Sequence, residues 1–206
     1  MADIWTTIAA ERGALAEDLA DLPVDRWTTR SLCPDWTVQD ALAHMTSTAH
    51  TSTSAFLRGL AGAGFSFERF SRRGIEQWRG DAPAQTLQSF RDVQHSRKHP
   101  PGPSTTWLGE AIVHAEDIRR PLGIRHAYPS DAVRQVLDFY KGSNALIGTK
   151  RRIDGVTLRA TDTDWTHGSG PEARGPMLSL LMAGTGRTSA LDDLSGAGVE
   201  VLRSRD

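Results

Sequence analysis

The chain has 206 residues, 38% of them hydrophobic and 24% charged, which suits one large domain or a bundle with a small appended unit. A net charge of −1 supplies no global field to recruit nucleic acid or an anionic membrane, and no apolar run reaches the roughly 18 residues that a span needs. The start, Met1 to Trp5, lacks the basic-then-apolar layout of a secretory signal, and the single cysteine, Cys33, excludes an internal disulfide framework; both predict a reducing, cytoplasmic setting.

Ile4, Ile8, Leu15, Leu19 and Leu22 recur at helical spacing and predict a first helix over 3–22, ended by Pro23. The stretch Ser31 to Trp36 reads as a rigid loop leading into a second helix. Thr37 is its expected N-cap, and Asp40 completes a capping box with a shorter acid. That helix is expected to run to about Leu60, where Gly59, Gly62 and Gly64 interrupt the pattern. Residues 66–79 are ambiguous, with a short helix as the favoured reading. A third helix is expected over 84–98, and a fourth from Ser104 to the Pro121-Leu122-Gly123 stop. A fifth, over 130–147, carries Val133, Val136, Leu137, Tyr140 and Leu146.

Composition then changes. Residues 156–161 read as a strand, 163–166 as its hairpin partner, 175–186 and 189–194 as helices, and 199–202 as a closing strand. The predicted architecture is mainly α: a helical bundle over 1–148 and a small α+β unit over 149–206.

The chemistry concentrates on the fourth helix. At about 100° per residue, Trp107, Ala111, His114 and Ile118 share one stripe, and Glu110 lies close to His114 on the same side. A carboxylate on an apolar stripe is costly unless it is paired or holds a cation. The i, i+4 spacing lets Glu110 and His114 converge on one ion, and Asp117 is placed to orient His114 or to ligate in its own right. A third ligand must come from elsewhere. His44, on the flank of the Val38, Ala41, Leu42, Met45, Ala49 stripe, is the best candidate. Two histidines and a glutamate with an open position form a catalytic rather than a structural zinc pattern. The blander reading of the same residues is a core histidine with a salt bridge.

His95 and His99 have competing His-x-x-x-His spacing. On the expected third helix, however, both point away from the buried Leu87, Phe90 and Val93, among Arg91, Arg97 and Lys98, and they read as solvated. Cys33 has no histidine or basic neighbour in sequence and reads as a buried loop cysteine. Gly168-Ser169-Gly170 reads as a turn, because no lysine-bearing helix follows as in a phosphate loop. Arg174 and Arg187 are either surface arginines or contacts for a substrate carboxylate.

The phrases Cys33-Pro34-Asp35-Trp36-Thr37-Val38-Gln39-Asp40-Ala41-Leu42-Ala43-His44-Met45 and Gly109-Glu110-Ala111-Ile112-Val113-His114-Ala115-Glu116-Asp117-Ile118-Arg119-Arg120-Pro121-Leu122-Gly123 together resemble the mycothiol-dependent maleylpyruvate isomerase family, within the DinB-like superfamily of four-helix metal proteins. A third phrase, from Asp162 through Glu172 and then Leu191 to Gly196, extends the resemblance along nearly the whole chain. The resemblance implies a DinB-like four-helix bundle holding zinc through His44, Glu110 and His114. It further implies a metal-activated low-molecular-weight thiol such as mycothiol, with cis–trans isomerisation or thiol transfer as the reaction. Expected partners are therefore that thiol and a small electrophile, with a homodimer as a further expectation and neither nucleic acid nor membrane. The alternative is a non-catalytic metal-binding module for a ligand or for dimerisation, which a fourth protein ligand such as Asp117 or His50 would favour.

Overall fold

The computed structural model describes residues 3–145 and 147–205; Met1, Ala2 and Leu146 of the readings above lie outside the described residues. The chain divides into two compact units, 1–127 and 128–206. Among the described residues no helix is long and apolar enough to cross a membrane.

In the first unit, α1 (Ile4–Asp18) starts where the Asp3 carboxylate accepts from the Trp5 N–H, and it stops four residues earlier than its apolar spacing suggests. A 3₁₀ turn, Val24–Thr28, leads to α2 (Val38–His50). The capping box is formed in full: Asp40 N–H donates to the Thr37 hydroxyl at 3.2 Å, and Thr37 N–H donates to the Asp40 carboxylate at 3.0 Å. The expected long second helix is two helices. Thr51 is extended, and Ser52 caps α3 (Thr53–Gly62) by accepting from Ala55 N–H at 3.2 Å. The hydroxyl-rich run Ser47 to Ser54 competes for the backbone and ends α2 nine residues before the glycines. The ambiguous segment is helical, as α4 (Phe67–Trp78).

The third expected helix is shorter, α5 (Pro83–Asp92), so neither His95 nor His99 lies on it. Next comes α6 (Ser104–Leu122), closed by Gly123 in the left-handed conformation, φ 73°, with its N–H on the Arg120 carbonyl. Helices α1, α2, α5 and α6 supply one shared core. Leu15 and Leu19 meet Leu42 and Met45, Leu87 and Phe90, and Ile118, with Trp27 of the 3₁₀ turn packed among them. Each fully buried side chain of this kind contributes about 1.5–3 kcal/mol. This packing is what fixes α2 and α6 as neighbours.

The second unit begins with α7 (Ser130–Tyr140) and α8 (Thr149–Ile153). Composition changes near 148, whereas the compact units part at 127/128, because α7 packs on α9 (Met177–Gly184) and the Trp165 indole N–H donates to Asp138 at 3.0 Å. The sheet has β1 (Thr157–Ala160) at its centre, antiparallel to β2 (Thr166–His167) and parallel to β3 (Glu172–Gly175). The strand at β3 had no counterpart in the sequence reading, being short and flanked by glycine and proline. At Gly168, φ 88°, a Cβ would collide with the Val156 carbonyl, so the Gly168-Ser169-Gly170 stretch is a tight turn against β1.

The expected closing strand 199–202 is a helix, α10 (Gly198–Arg203), which follows a second 3₁₀ turn, Thr188–Asp193. The outer edge of β3 is already taken by Ser195, paired with Arg174 in both directions at 2.8 Å. Val199 and Leu202 are buried at i, i+3 spacing, which is one helical face.

Candidate metal centre

The centre is built by three segments of the first unit: the loop before α2, the middle of α2, and the second half of α6. The loop is held by a β-turn in which Trp36 N–H donates to the Cys33 carbonyl at 3.3 Å. Pro34 and Asp35 occupy its middle, and Asp35 adopts φ 64°, a left-handed conformation that aspartate tolerates better than most residues. Leu32 N–H donates to the Asp117 carbonyl at 3.0 Å, tying the loop directly to α6.

His44 of α2 and His114 of α6 face each other, with ring centroids 5.1 Å apart. The Trp36 indole covers both, at 4.7 Å from His44 and 6.2 Å from His114. Glu110 sits one turn before His114 and is only 9% exposed, and neither carboxylate oxygen makes a close hydrogen bond, although the Thr48 hydroxyl is near enough to favour its charged form. A buried carboxylate in that state is paid for by charge, and the charges within reach are His114 and the 2%-exposed Arg12 of α1. Arg12 itself is held by the Ser96 and Val93 carbonyls at 3.0 and 3.3 Å.

These surroundings set the protonation states. Burial, followed by the nearby His114, pushes His44 down to about 3, so it stays neutral with a lone pair to offer. Burial also works against a charged His114, but Cys33 and Asp117 outweigh it and lift that ring to about 10. Burial raises Glu110, opposed by His114, Arg12 and Thr48.

The structure sets His44 against His114 and Glu110 within electrostatic reach of His114, with Asp117 behind that ring: Nδ1 meets Oδ2 at 2.9 Å. It does not draw the first three tightly together. Among the described residues, the trio whose ligand atoms all lie within 4.8 Å is Cys33, His114 and Asp117. Cys33 is the buried loop cysteine that the sequence suggests, but with polar partners that come from 81 and 84 residues away. Its thiol donates to Asp117 Oδ2 at 3.0 Å and stands 3.5 Å from His114 Nδ1. The one sequence signal for this was its place in the same phrase as His44.

The other sequence candidates lie elsewhere. His50 stacks on Trp78, with centroids 3.8 Å apart and planes 5° from parallel. His95 is exposed, as expected, but His99 is not simply solvated: it is stacked between Trp5 and Trp107 at 5.3 and 5.6 Å. Arg174 is exposed on β3, while Arg187 is half-buried and donates to the Thr185 carbonyl at 2.9 Å.

Residues 8–99 match the family model described as the mycothiol maleylpyruvate isomerase N-terminal domain. That match covers the first of the three phrases, Cys33 to Met45, and agrees with the resemblance there. Two solved structures share the fold over 95% of this chain and 92% of theirs, each at 14% identity. One is a mycothiol-dependent maleylpyruvate isomerase, at a TM-score of 0.62, and the other is a histidine-to-alanine mutant of such an enzyme, at 0.65. Among curated proteins nothing matches. The fold shared with these structures is mainly helical, a helical bundle with a small C-terminal α+β unit.

The donor set fits a divalent ion. It comprises a neutral imidazole, a second imidazole whose Nδ1 is engaged so that Nε2 is left to ligate, and a buried carboxylate without a close hydrogen bond at either oxygen.

Proposed function

We propose that this chain is a cytoplasmic, divalent-metal-dependent enzyme that uses a low-molecular-weight thiol such as mycothiol on a small electrophile, in the manner of the maleylpyruvate isomerases. The observation that carries this reading is Glu110, a buried carboxylate without a close hydrogen bond at either oxygen, one helical turn from His114, the ring that His44 faces. The family match over residues 8–99 supports the choice of thiol.

In this reading His44, Glu110 and His114 hold the ion, with zinc the favoured metal for two imidazoles and a carboxylate. When bound, the ion lowers the pKa of a thiol at its open position, so that the nucleophilic thiolate exists near neutral pH. Asp117 fixes the ring and tautomer of His114, and Trp36 shields the imidazoles from water. Arg174 and Arg187 are the proposed contacts for a substrate carboxylate, because a guanidinium meets a carboxylate bidentately. Isomerisation requires that the thiolate add to a cis double bond and leave after rotation; a transferase keeps the new carbon–sulfur bond. Product analysis separates the two, one giving an isomer of the electrophile and the other an adduct.

The test is cobalt substitution followed by titration with mycothiol near neutral pH. A sulfur-to-cobalt charge-transfer band on adding thiol is expected. Silence across several biological thiols in fully metallated protein would favour the second reading, a non-catalytic metal-binding module. That reading draws its support from the tight Cys33, His114, Asp117 trio, which has the makings of a closed site.

A further inference from the structure

The thiol of Cys33 reaches the centre from a loop, through a short chain of contacts. Its S–H donates to Asp117 Oδ2 at 3.0 Å, and the same oxygen meets His114 Nδ1 at 2.9 Å. Asp117 is fully buried and Cys33 is 7% exposed, so water does not substitute freely for either contact. The loop cannot easily withdraw, because Leu32 N–H is bonded to the Asp117 carbonyl at 3.0 Å and the Cys33–Trp36 turn is closed on itself. Beside this chain, one helical turn before His114, lies the Glu110 carboxylate, without a close hydrogen bond at either oxygen. That buried group is a second observation, independent of the Cys33 contacts, that points to a cation at this place.

We infer that Cys33 is a positioning residue of the metal centre: its thiol holds Asp117, and Asp117 holds the His114 imidazole so that Nε2 is directed at the ion. The inference rests on the metal reading above and goes beyond it by giving the one cysteine a role other than nucleophile, ligand or core filler. A carboxylate shut off from water is steered by the donors around it, so removing one lets the remaining contacts rotate it. Carboxylates behind metal-bound histidines are worth about 10–100-fold in metal affinity. Cys33 acts one bond further out and is expected at the lower end of that range, about 10-fold.

The test compares Cys33→Val, which keeps the volume and removes the donor, with Cys33→Ser, which keeps a donor. Zinc affinity is measured by chelator competition, the visible spectrum of the cobalt protein is recorded without added thiol, and His114 ring nitrogens are followed by 15N NMR in metal-free protein. Expected results are a roughly 10-fold weaker zinc affinity and a shifted His114 Nδ1 resonance for Cys33→Val, both restored by Cys33→Ser. Should Cys33→Val fail to fold, Cys33→Ala serves the same comparison. Wild-type affinity together with an unchanged Nδ1 resonance in the donor-less variant overturns the inference. So does a sulfur-to-cobalt band in the wild type, lost in Cys33→Ser, because Cys33 would then be a ligand itself. If the wild type holds no metal at all, the proposed function fails, while the NMR comparison still judges the Cys33–Asp117–His114 chain on its own.

Discussion

The imidazoles of His44 and His114 meet nearly edge to face, with ring centroids 5.1 Å apart and planes at 80°. Two rings so placed, on helices α2 and α6, repel each other when both are charged. The two settle on opposite states, His44 pushed to about 3 and His114 raised to about 10. One ring is ready to bind a cation and the other must first give up a proton.

Purified protein is expected to take up about one divalent ion per chain. His114→Ala should lose most of it, because two ligands remain, and so should Glu110→Gln, whose amide is a poor ligand. Elemental analysis of each variant checks this. His95→Ala should retain the wild-type content, since His95 is exposed away from the centre; loss of metal in that variant would move the site.

Metal uptake should release protons and strengthen as pH rises. His114, held up to about 10, carries a proton at pH 7, and the ion displaces it. Glu110, raised by burial, keeps its proton to higher pH than an exposed glutamate and adds to the release when it is still protonated. His44, at about 3, contributes none. Calorimetry in two buffers of different ionisation enthalpy should show at least about one proton leaving per ion at pH 7. Affinity that does not vary between pH 6 and 9 would contradict this assignment.

Arg174→Met and Arg187→Met bear on the substrate end. If either arginine receives a carboxylate, the variant raises KM for a carboxylated electrophile about ten-fold, while metal content and thiol binding stay as they were. Equal kinetics for both variants and the wild type would leave these residues as surface and loop arginines.

The core of the first unit makes its own prediction. Leu42 and Ile118 are fully buried where α2 meets α6. Truncating either to alanine should cost about 2–5 kcal/mol and lower the urea midpoint. Metal should raise that midpoint in the wild type, because it binds the folded chain only. In the second unit, Gly168→Ala should also destabilise, since its Cβ would meet the Val156 carbonyl at a φ of 88°.

The sequence alone was sufficient for several parts of this protein because the determining interactions are local. The Thr37–Asp40 capping box, the Gly123 stop of α6 and the Glu110–His114 pair each depend on residues within four positions of one another. The phrase around His44 was enough to suggest the family whose N-terminal domain model matches residues 8–99. Tertiary structure decided the rest, for reasons of distance along the chain. Cys33 found Asp117 and His114 only because the shared core sets α6 beside the loop before α2, across 84 and 81 residues. Val199 to Leu202 has strand-like composition, but the edge it would have paired with is occupied by Ser195, so its apolar residues pack as one face of a helix instead. Likewise α7 belongs with the sheet rather than the bundle, since Trp165 and Asp138 bond across 27 residues and α9 covers its apolar face.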